Sequence, residues 1–271
     1  MNVLLTNDDG IQAQGLNALR KALLEVPGID LTVIAPDSNR SATARSITTR
    51  EPLWVEEIEF QDGSVGYATD GTPVDCVRFA VLGLTESQPE LIVSGINHGT
   101  NLGDDITYSG TVAAALEGVV LGIPAIAVSQ QAIGGQMDFV SGVRFDFDTA
   151  ATFTARLIEE LEAVPMPPGT LLNINVPDGN PTGARACRLG KRIYRDRLEL
   201  TEEDENGRRR YKIYGHKPGF HEEEGTDFEA IGDGAIAVTP LHFDLTDTAG
   251  VEALAEFDLD RLLRPAAQEV E

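Results

Sequence analysis

Short apolar runs alternate with amphipathic stretches along the first two thirds of the chain, and this alternation constrains the fold more than any other feature. Residues 2–6 (NVLLT) are typical of a buried strand, and residues 12–26 then carry leucine or valine at helical spacing until Pro27 and Gly28 end the pattern. Further strand-like runs are LTVIA (31–35), ELIVSG (90–95), PAIAVS (124–129) and LLNINV (171–176), with less regular short strands within 46–70. Further helical patterns cover 71–84, 110–122 and 147–162. This order predicts an α/β fold, a three-layer sandwich with a mainly parallel sheet and helices on both faces.

The last hundred residues have a different pattern, although AIAVTPL (235–241) is one more strand-like run. Two basic runs around TEEDENG predict a protruding basic hairpin over about 183–228, and VEALAEFDLDRLLR predicts a C-terminal helix over about 250–265. We expect one domain, with its core over about 1–182 and 229–248. Because neither extension can easily bury itself on one core, both are expected to join copies of the chain into a homodimer or homotetramer.

The charge of the chain limits its partners. A formal net charge of −23 over 271 residues excludes general binding to a nucleic-acid polymer, because the phosphate backbone would be repelled. The charge is uneven: residues 185–217 hold 11 of the 21 basic residues and 6 acidic ones, a local net charge of +5. This stretch fits a solvated or intersubunit arm, or an arm that steers an anionic substrate.

Three features of the sequence bear on membrane binding and on the cellular compartment. No apolar run approaches the roughly 18 residues that a membrane span requires, so we expect no membrane partner. The first residues, which include two adjacent aspartates, do not read as a signal peptide. The two cysteines, Cys76 and Cys187, are far apart in sequence, which favours a reducing, cytoplasmic environment over a disulfide framework.

Polar loops follow three of the predicted strands. TNDDG follows the first strand, PDSNRSATARS (36–46) the second, and SGINHGTNLGDD (94–105) overlaps the end of the third. Ligands of an open parallel sheet bind at the carboxyl ends of its strands, so the three loops should face one crevice. The oxygens of Asp8, Asp9, Ser41 and Asn97 suit Mg²⁺, Mn²⁺ or Ca²⁺ better than zinc. An alternative is that the two aspartates cap the helix that begins near Gln12.

The segment YSGTVAAALEG places Ser109, Gly110 and Thr111 immediately before a predicted helix. Backbone N–H groups and two hydroxyls at a helix N-terminus can bind a phosphate, although ordinary capping by Ser109 or Thr111 would need the same residues. A hard cation beside an anion site suggests metal-assisted chemistry on a small phosphate ester.

Seven motifs in this order resemble those of the SurE (survival protein E) family of 5′-nucleotidases. They are TNDDGI (6–11), APDSNRSA (35–42), GTPVDCV (71–77), SGINHGTN (94–101), YSGTVAAALEG (108–118), LNINVP (172–177) and VTPLHFD (238–244). The resemblance covers nearly the whole chain and is weakest at the hairpin tip and the C-terminal helix. It implies a cytoplasmic enzyme with a Rossmann-like core and an extension that exchanges elements between subunits.

The resemblance also implies an activity and a set of site residues. The activity is divalent-metal-dependent hydrolysis of nucleoside 5′-monophosphates, often also of 3′-monophosphates. The implied cofactor is one cation, Mg²⁺ or Mn²⁺ with Ca²⁺ as an alternative. The metal ligands would be Asp8, Asp9, Ser41 and Asn97; the catalytic residues Asp8 and Asp9; and the phosphate-binding residues Asn97, Ser109, Gly110 and Thr111. His98 stands where many members of the family have arginine, so a role of that arginine does not transfer.

Several alternatives remain open at the level of sequence. Water could attack phosphorus with Asp8 or Asp9 orienting it, or an aspartate could attack directly and form a phospho-enzyme. The enzyme could be a broader acid phosphatase or an exopolyphosphatase, and a non-catalytic nucleotide-binding module would use the same motifs. Only 6% of the residues are aromatic, and no cluster that would stack on a nucleobase is visible.

Overall fold

The computed structural model describes residues 1–136, 142–213 and 219–263, and in these ranges it has strands and helices in the predicted order. The strands are β1 (Asn2–Thr6), β2 (Asp30–Pro36), β3 (Val55–Glu59), β4 (Val65–Thr69), β5 (Leu91–His98), β6 (Ala125–Gln130), β7 (Thr170–Val176), β8 (Ala184–Ala186), β9 (Arg192–Ile193), β10 (Glu199–Glu203), β11 (Arg209–Lys212), β12 (Gly219–Phe220) and β13 (Ile236–His242). The helices are α1 (Gln14–Leu24), α2 (Pro73–Val81), α3 (Gly110–Val120), α4 (Asp148–Glu159), α5 (Asp227–Gly232) and α6 (Thr248–Ala255), with short 3₁₀ turns at Gly103–Tyr108, Leu161–Ala163 and Leu259–Leu263.

One large sheet organises the described residues. Its strand order is β3-β4-β2-β1-β5-β6-β7-β13-β8, and β2, β1, β5, β6 and β7 run parallel to one another. Strand β1 lies between β2 and β5, so the order of the chain reverses at β1, which is the place where α/β sheets bind ligands. The loops after these three strands therefore start side by side at one edge.

Two apolar layers cover the two faces of this sheet. Leu5 of β1 packs in the layer that holds α1 and α4, whereas its neighbour Leu4 packs in the layer with α2 and α3. Both leucines are fully buried, as expected for a central parallel strand covered on both faces. Neighbouring side chains of a strand point to opposite faces, so residues that follow β1 can reach the helices of either layer.

The basic hairpin is shorter than the predicted 183–228. Strands β10 and β11 form the hairpin itself, while Ala184–Ala186 joins the free edge of β13 in the main sheet. Strand β9 pairs with β12 instead, which brings the two ends of the arm together. Residues 214–218 of the predicted hairpin lie outside the described ranges.

One arginine of the basic stretch is buried rather than solvated. The Nε of Arg192 donates to Oδ2 of Asp105 at 2.7 Å, and the hydroxyl of Tyr194 donates to the other oxygen of Asp105 at 3.0 Å. The guanidinium group also lies 4.8 Å above the ring of the fully buried Phe228. Asp105, which follows β5 in a loop before α3, thus anchors the arm to the core.

The C-terminal segment departs from the predicted single helix over 250–265. Helix α6 ends at Ala255, and a separate 3₁₀ turn follows at Leu259–Leu263; residues 264 and 265 lie outside the described ranges. No residue of α6 is buried, and Val251 and Leu254 each keep more than half of their surface exposed. No helix among the described residues is both long and apolar enough to cross a membrane.

Two helical glycines allow a matched test of how closely α1 approaches β5. A Cβ atom on Gly15 of α1 would lie 2.1 Å from the backbone oxygen of Ile96, whereas the nearest atom to one on Gly118 of α3 would be the tip of the flexible Ile92 side chain at 2.7 Å. Alanine has a helix propensity up to about 1 kcal/mol better than glycine, but forced overpacking typically costs about 1–3 kcal/mol. We expect Gly15→Ala to lower the free energy of unfolding by about 2 kcal/mol in urea titrations and Gly118→Ala to change it by less than about 1 kcal/mol. Equal stabilities of the two variants would contradict this close approach.

Candidate active site

The aspartate pair lies where β1 leaves the core. Asp8 is buried, and Asn7 holds the turn that follows it: the N–H of Gly10 donates to Asn7 Oδ1 at 3.2 Å, and Asn7 Nδ2 donates back to Gly10 O at 3.1 Å. Helix α1 begins at Gln14 with Ala13 as its N-cap residue and no side-chain capping bond. The alternative that the two aspartates cap α1 is therefore wrong.

Asp8 is held by the N-terminus of α3. The hydroxyl of Thr111 donates to Asp8 Oδ1 at 2.5 Å, and the backbone N–H of Gly110 also donates to this carboxylate. A Cβ atom on Gly110 would lie 2.7 Å from Asp8 Cβ, so only glycine permits the first turn of α3 to approach so closely. The partial positive charge of a helix N-terminus stabilises the negative charge of the carboxylate.

Asp9 is held from the opposite side, by the loop after β2 and the last residue of β5. The side-chain amide of Asn39 donates to Asp9 Oδ1 at 3.2 Å, and the backbone N–H of His98 donates to Asp9 Oδ2 at 3.0 Å. The backbone N–H of Arg40 donates to the carbonyl oxygen of Asp8 at 2.7 Å, which fixes the loop after β2 against the pair. Three loops thus meet at the predicted sheet edge.

Ionising either carboxylate in the folded protein costs free energy. Burial and the charge of Asp9 raise the pKa of Asp8 from 3.8 to about 6, and burial raises the pKa of Asp9 to about 6 as well. Burial lowers the pKa of His98, whose Nδ1 lies 3.9 Å from Asp9 Oδ1, so the imidazole supplies no positive charge near neutral pH. No lysine or arginine in the described ranges pairs with either aspartate.

Two neutral residues were predicted to complete the site. Asn97 is buried at the end of β5, and its Nδ2 donates to Gly99 O at 2.8 Å, so its amide oxygen is the atom that can bind a cation. Ser41 is exposed on the loop after β2, where its backbone N–H donates to Asn39 Oδ1 at 2.9 Å. That asparagine contacts Asp9, so the loop of Ser41 is tied to the aspartate pair.

The three residues before and in the first turn of α3 have distinct contacts. Ser109 is the N-cap of α3 and its hydroxyl oxygen accepts from the N–H of Val112 at 3.1 Å, as the capping alternative expected. Because the oxygen of Ser109 accepts in this bond, its O–H can still donate to an anion. The hydroxyl of Thr111 already donates to Asp8, so Thr111 can offer an anion only its backbone N–H.

An aromatic cluster beside the site was not predicted from the sequence. The ring of His98 stacks on Phe145 and Phe147 with ring centroids 5.2 and 5.0 Å apart, and the backbone N–H of Gly15 approaches its Nε2 at 3.4 Å. This packing holds the backbone of His98 in place to donate to Asp9. The spacing of the two phenylalanines is a weak strand-like signal, and nothing in the sequence links them to a histidine 47 and 49 positions earlier.

The donor set fits a hard divalent cation. A positive charge between two buried carboxylates that lack a basic partner would stabilise both of them. Asn97 and Ser41 can add an amide and a hydroxyl oxygen, because each lies within two residues of a group that holds Asp9. Within the described ranges, no three His, Cys, Asp or Glu side chains gather where they could hold a metal ion. A cation at this edge would therefore take its other ligands from neutral oxygens and water, as Mg²⁺ commonly does.

Comparison with known proteins decides the family. The family model of survival protein SurE matches residues 3–196 of the chain. The chain belongs to the SurE family. The match spans β1 to the arm that Arg192 anchors, so it includes every residue of the site described above.

Curated relatives and a solved structure agree with this assignment. A protein of Rubrobacter xylanophilus named 5′-nucleotidase SurE is 52% identical over 97% of this chain and 99% of that protein, and one of Herpetosiphon aurantiacus with the same name is 45% identical over 94% and 97%. The crystal structure of the SurE protein from Aquifex aeolicus is 37% identical and covers 94% of this chain and all of that chain, with a TM-score of 0.75. The predicted SurE membership and α/β Rossmann-like sandwich are confirmed.

The raised pKa of Asp9 leads to a prediction about the metal-free protein. Below about pH 4 the carboxyl is protonated both folded and unfolded; as the pH rises toward 6, the unfolded chain releases its proton first, which favours unfolding. We expect Asp9→Asn to gain stability relative to wild type from about pH 4 to pH 6, on the order of 2 kcal/mol, and to keep that gain above pH 6. Urea unfolding in the presence of a chelator at several pH values measures it.

Asp62→Asn is the matched control for this experiment. The hydrogen bonds from Ser64 lower the pKa of Asp62 to about 2, so this carboxyl is ionised in both states between pH 5 and about 8. Its replacement should therefore shift stability by the same amount at pH 5 and pH 6, between which the gain of Asp9→Asn still rises. A stability difference of Asp9→Asn that does not change with pH would contradict the buried, unpaired charge of Asp9.

Proposed function

We propose that this chain is a divalent-cation-dependent phosphomonoesterase that hydrolyses nucleoside 5′-monophosphates to nucleoside and phosphate. The observation that carries the proposal is the buried pair Asp8 and Asp9, held at a sheet edge between the N-terminus of α3 and two loops. The names of the relatives, 5′-nucleotidase SurE, support the substrate class. We also propose that 3′-monophosphates are substrates, because the donors assigned below bind a phosphate group, which both isomers carry.

The residues that would hold the cation are Asp8, Asp9, Ser41 and Asn97. When bound, the cation neutralises the two carboxylates, polarises a phosphoryl oxygen and favours deprotonation of a nearby water. The protein contributes by fixing the carboxylates in advance: Thr111 and Gly110 hold Asp8, and Asn39 and His98 hold Asp9. We favour Mg²⁺ or Mn²⁺ over Ca²⁺, because few protein ligands are available and the remaining positions would be water.

The phosphate would bind at the N-terminus of α3. The O–H of Ser109 and the backbone N–H of Thr111 are the donors left for it, and the helix dipole adds to their attraction for an anion. The amide group of Asn97 lies at the end of β5 and would orient the phosphate from the side opposite α3. These donors would stabilise the charge that develops on the phosphoryl oxygens.

Water is the nucleophile that the contacts favour. The carboxylate of Asp8 accepts hydrogen bonds from Thr111 and Gly110, and both oxygens of Asp9 accept bonds from Asn39 and His98. Hydrogen bonds of this kind fix the side chains and occupy lone pairs of both carboxylates, so neither side chain is free to turn toward phosphorus, whereas a water beside them can do so. We therefore assign Asp8 and Asp9 the task of orienting water and accepting its proton.

The activity and its dependence on a cation can be tested together. We expect phosphate release from AMP and GMP with Mn²⁺ or Mg²⁺, its loss in EDTA, and its recovery when the metal is restored. Asp9→Asn should lower kcat/KM at least about 100-fold, because a positioned ligand and proton acceptor is removed. The measurement is inorganic phosphate released from each substrate under each condition.

Three outcomes of that assay would contradict the proposal in different ways. Turnover that EDTA leaves unchanged would show that the reaction needs no divalent cation. Polyphosphate or a simple aryl phosphate hydrolysed faster than every nucleotide would favour an exopolyphosphatase or a general acid phosphatase. Tight nucleotide binding with no phosphate release in any metal would indicate a binding module.

We also propose that the chain works in the cytoplasm as a homodimer or homotetramer joined through its hairpin and C-terminal helix. Cys76 and Cys187 are free thiols, which suits a reducing compartment. The apolar side chains of α6 are uncovered, including Val251 and Leu254, and so is Leu200 of β10. Sedimentation should give a dimer or tetramer that Leu254→Glu weakens, whereas a monomeric wild type would contradict the assembly.

A further inference from the structure

The loop that carries Ser41 is tied to the aspartate pair through its first half only. We call residues 37–46 the Ser41 loop. Asn39 contacts Asp9 through its side chain and Arg40 contacts Asp8 through its backbone, at 3.2 and 2.7 Å. None of residues 41–46, all of which the structure describes, hydrogen-bonds to either aspartate, so other contacts must fix that half of the loop.

The second half of the Ser41 loop has an unfavourable backbone. Ala42 and Ala44 have φ angles of 59° and 52°, in the left-handed region where an alanine costs about 1–2 kcal/mol. The hydroxyl of Thr43, between them, donates to the carbonyl oxygen of Arg40 at 2.7 Å, which closes the turn. A loop with two such residues needs an outside contact to stay in this conformation.

The hydroxyl of Thr72, the N-cap residue of α2, donates to the carbonyl oxygen of Ser46 at the end of this half, at 2.8 Å. Arg45 provides a second outside contact. Its Nη2 donates to Oε2 of Glu117 at 2.6 Å, and its guanidinium group lies 4.7 Å from the ring centroid of Phe243. The side chain of Glu117 is only 2% exposed and that of Arg45 is 32% exposed, so a buried carboxylate is paired with a partly exposed guanidinium group. Arg78 of α2 contacts the other oxygen of the same carboxylate but is not part of the Ser41 loop.

Helix α3 connects this ion pair to the aspartates. Thr111 in its first turn holds Asp8, and Glu117 lies six residues later, about 9 Å along the helix axis. One rigid element therefore fixes the carboxylate of Asp8 at one end and the far half of the Ser41 loop at the other. The distance between Ser41 and Asp8 depends on both contacts.

We propose that Arg45 is a positioning residue that, through Glu117, holds the Ser41 loop against the aspartate pair and so sets the affinity of the site for a divalent cation. This role rests on the proposed function, because it needs the cation site. Arg45 itself forms no hydrogen bond or ion pair with the aspartates; its contacts in the described part of the chain are with Glu117 and Phe243. Its effect is to select, among the backbone conformations of the loop, the one that presents the hydroxyl of Ser41.

The test compares two arginines that share one carboxylate. Mn²⁺ is titrated into metal-free wild type, Arg45→Ala and Arg78→Ala, and bound ion is measured by electron paramagnetic resonance. We expect Arg45→Ala to bind Mn²⁺ about tenfold more weakly, the usual effect of removing a residue that orients a metal ligand, and Arg78→Ala to bind like wild type. Arg45→Lys keeps a positive charge for Glu117 and should recover part of the loss.

Hydrogen exchange of the metal-free proteins provides a second readout. Amides of residues 41–46 should exchange faster in Arg45→Ala, and not in Arg78→Ala, while the amides of α3 keep their protection. If Arg45→Ala does not fold, Glu117→Gln replaces it with the same expectations, because it weakens the same ion pair.

Each unfavourable outcome has a separate meaning. Wild-type Mn²⁺ affinity in Arg45→Ala, or an equal loss in both arginine variants, overturns the positioning role and leaves the cation site intact. A wild-type chain that binds no Mn²⁺ overturns the cation site itself, and the role of Arg45 with it.

KM for AMP at saturating Mn²⁺ should stay unchanged in Arg45→Ala, since this residue acts on the metal ligand and not on the substrate.

Discussion

The repulsion between two adjacent buried carboxylates is the constraint on which the rest of the site depends. Burial raises the pKa of both Asp8 and Asp9 to about 6, and the described residues offer them hydrogen bonds but no basic side chain. The N-terminus of α3, the loop after β2 and the end of β5 all converge on this negative charge. Each supplies N–H or O–H donors, which stabilise the ionised form without neutralising it.

The position of β1 in the sheet makes this convergence possible. Because β1 lies between β2 and β5 and all three are parallel, the loops that follow them begin within two strand spacings of one another. Asp8 then contacts the layer of α3, while Asp9 contacts the loops near His98. A cation held by both residues would join structures from the two faces of the sheet.

The sequence predicted the parts of this arrangement that follow from periodicity and topology. Alternating strands and helices placed Asp8, Asp9 and Asn97 at one sheet edge, and the residues before α3 beside them, as the structure has them. Contacts between distant segments could not be predicted, because a sequence pattern does not state which side chains meet. Two ion pairs join distant positions: Arg45 and Glu117 are 72 positions apart, and Arg192 and Asp105 are 87 positions apart. Because of the second pair, Arg192 of the predicted basic arm is buried and anchors the arm to the core. The sequence likewise could not predict that Thr111 donates to Asp8 while Ser109 caps the helix, because these contacts depend on how closely α3 approaches β1.

The two glycines at which the helices touch the sheet edge have a consequence for the length of the acidic side chains. Gly15 lets α1 approach the backbone at Ile96, and Gly110 lets α3 approach Asp8, so each helix lies close to the end of β1 or β5. At this separation the carboxylate of Asp8 needs only one methylene group to reach Thr111 of α3. Glutamate at position 8, one methylene longer, would have to fold back on itself or push α3 away, which gives aspartate a geometric advantage there that its charge alone does not explain.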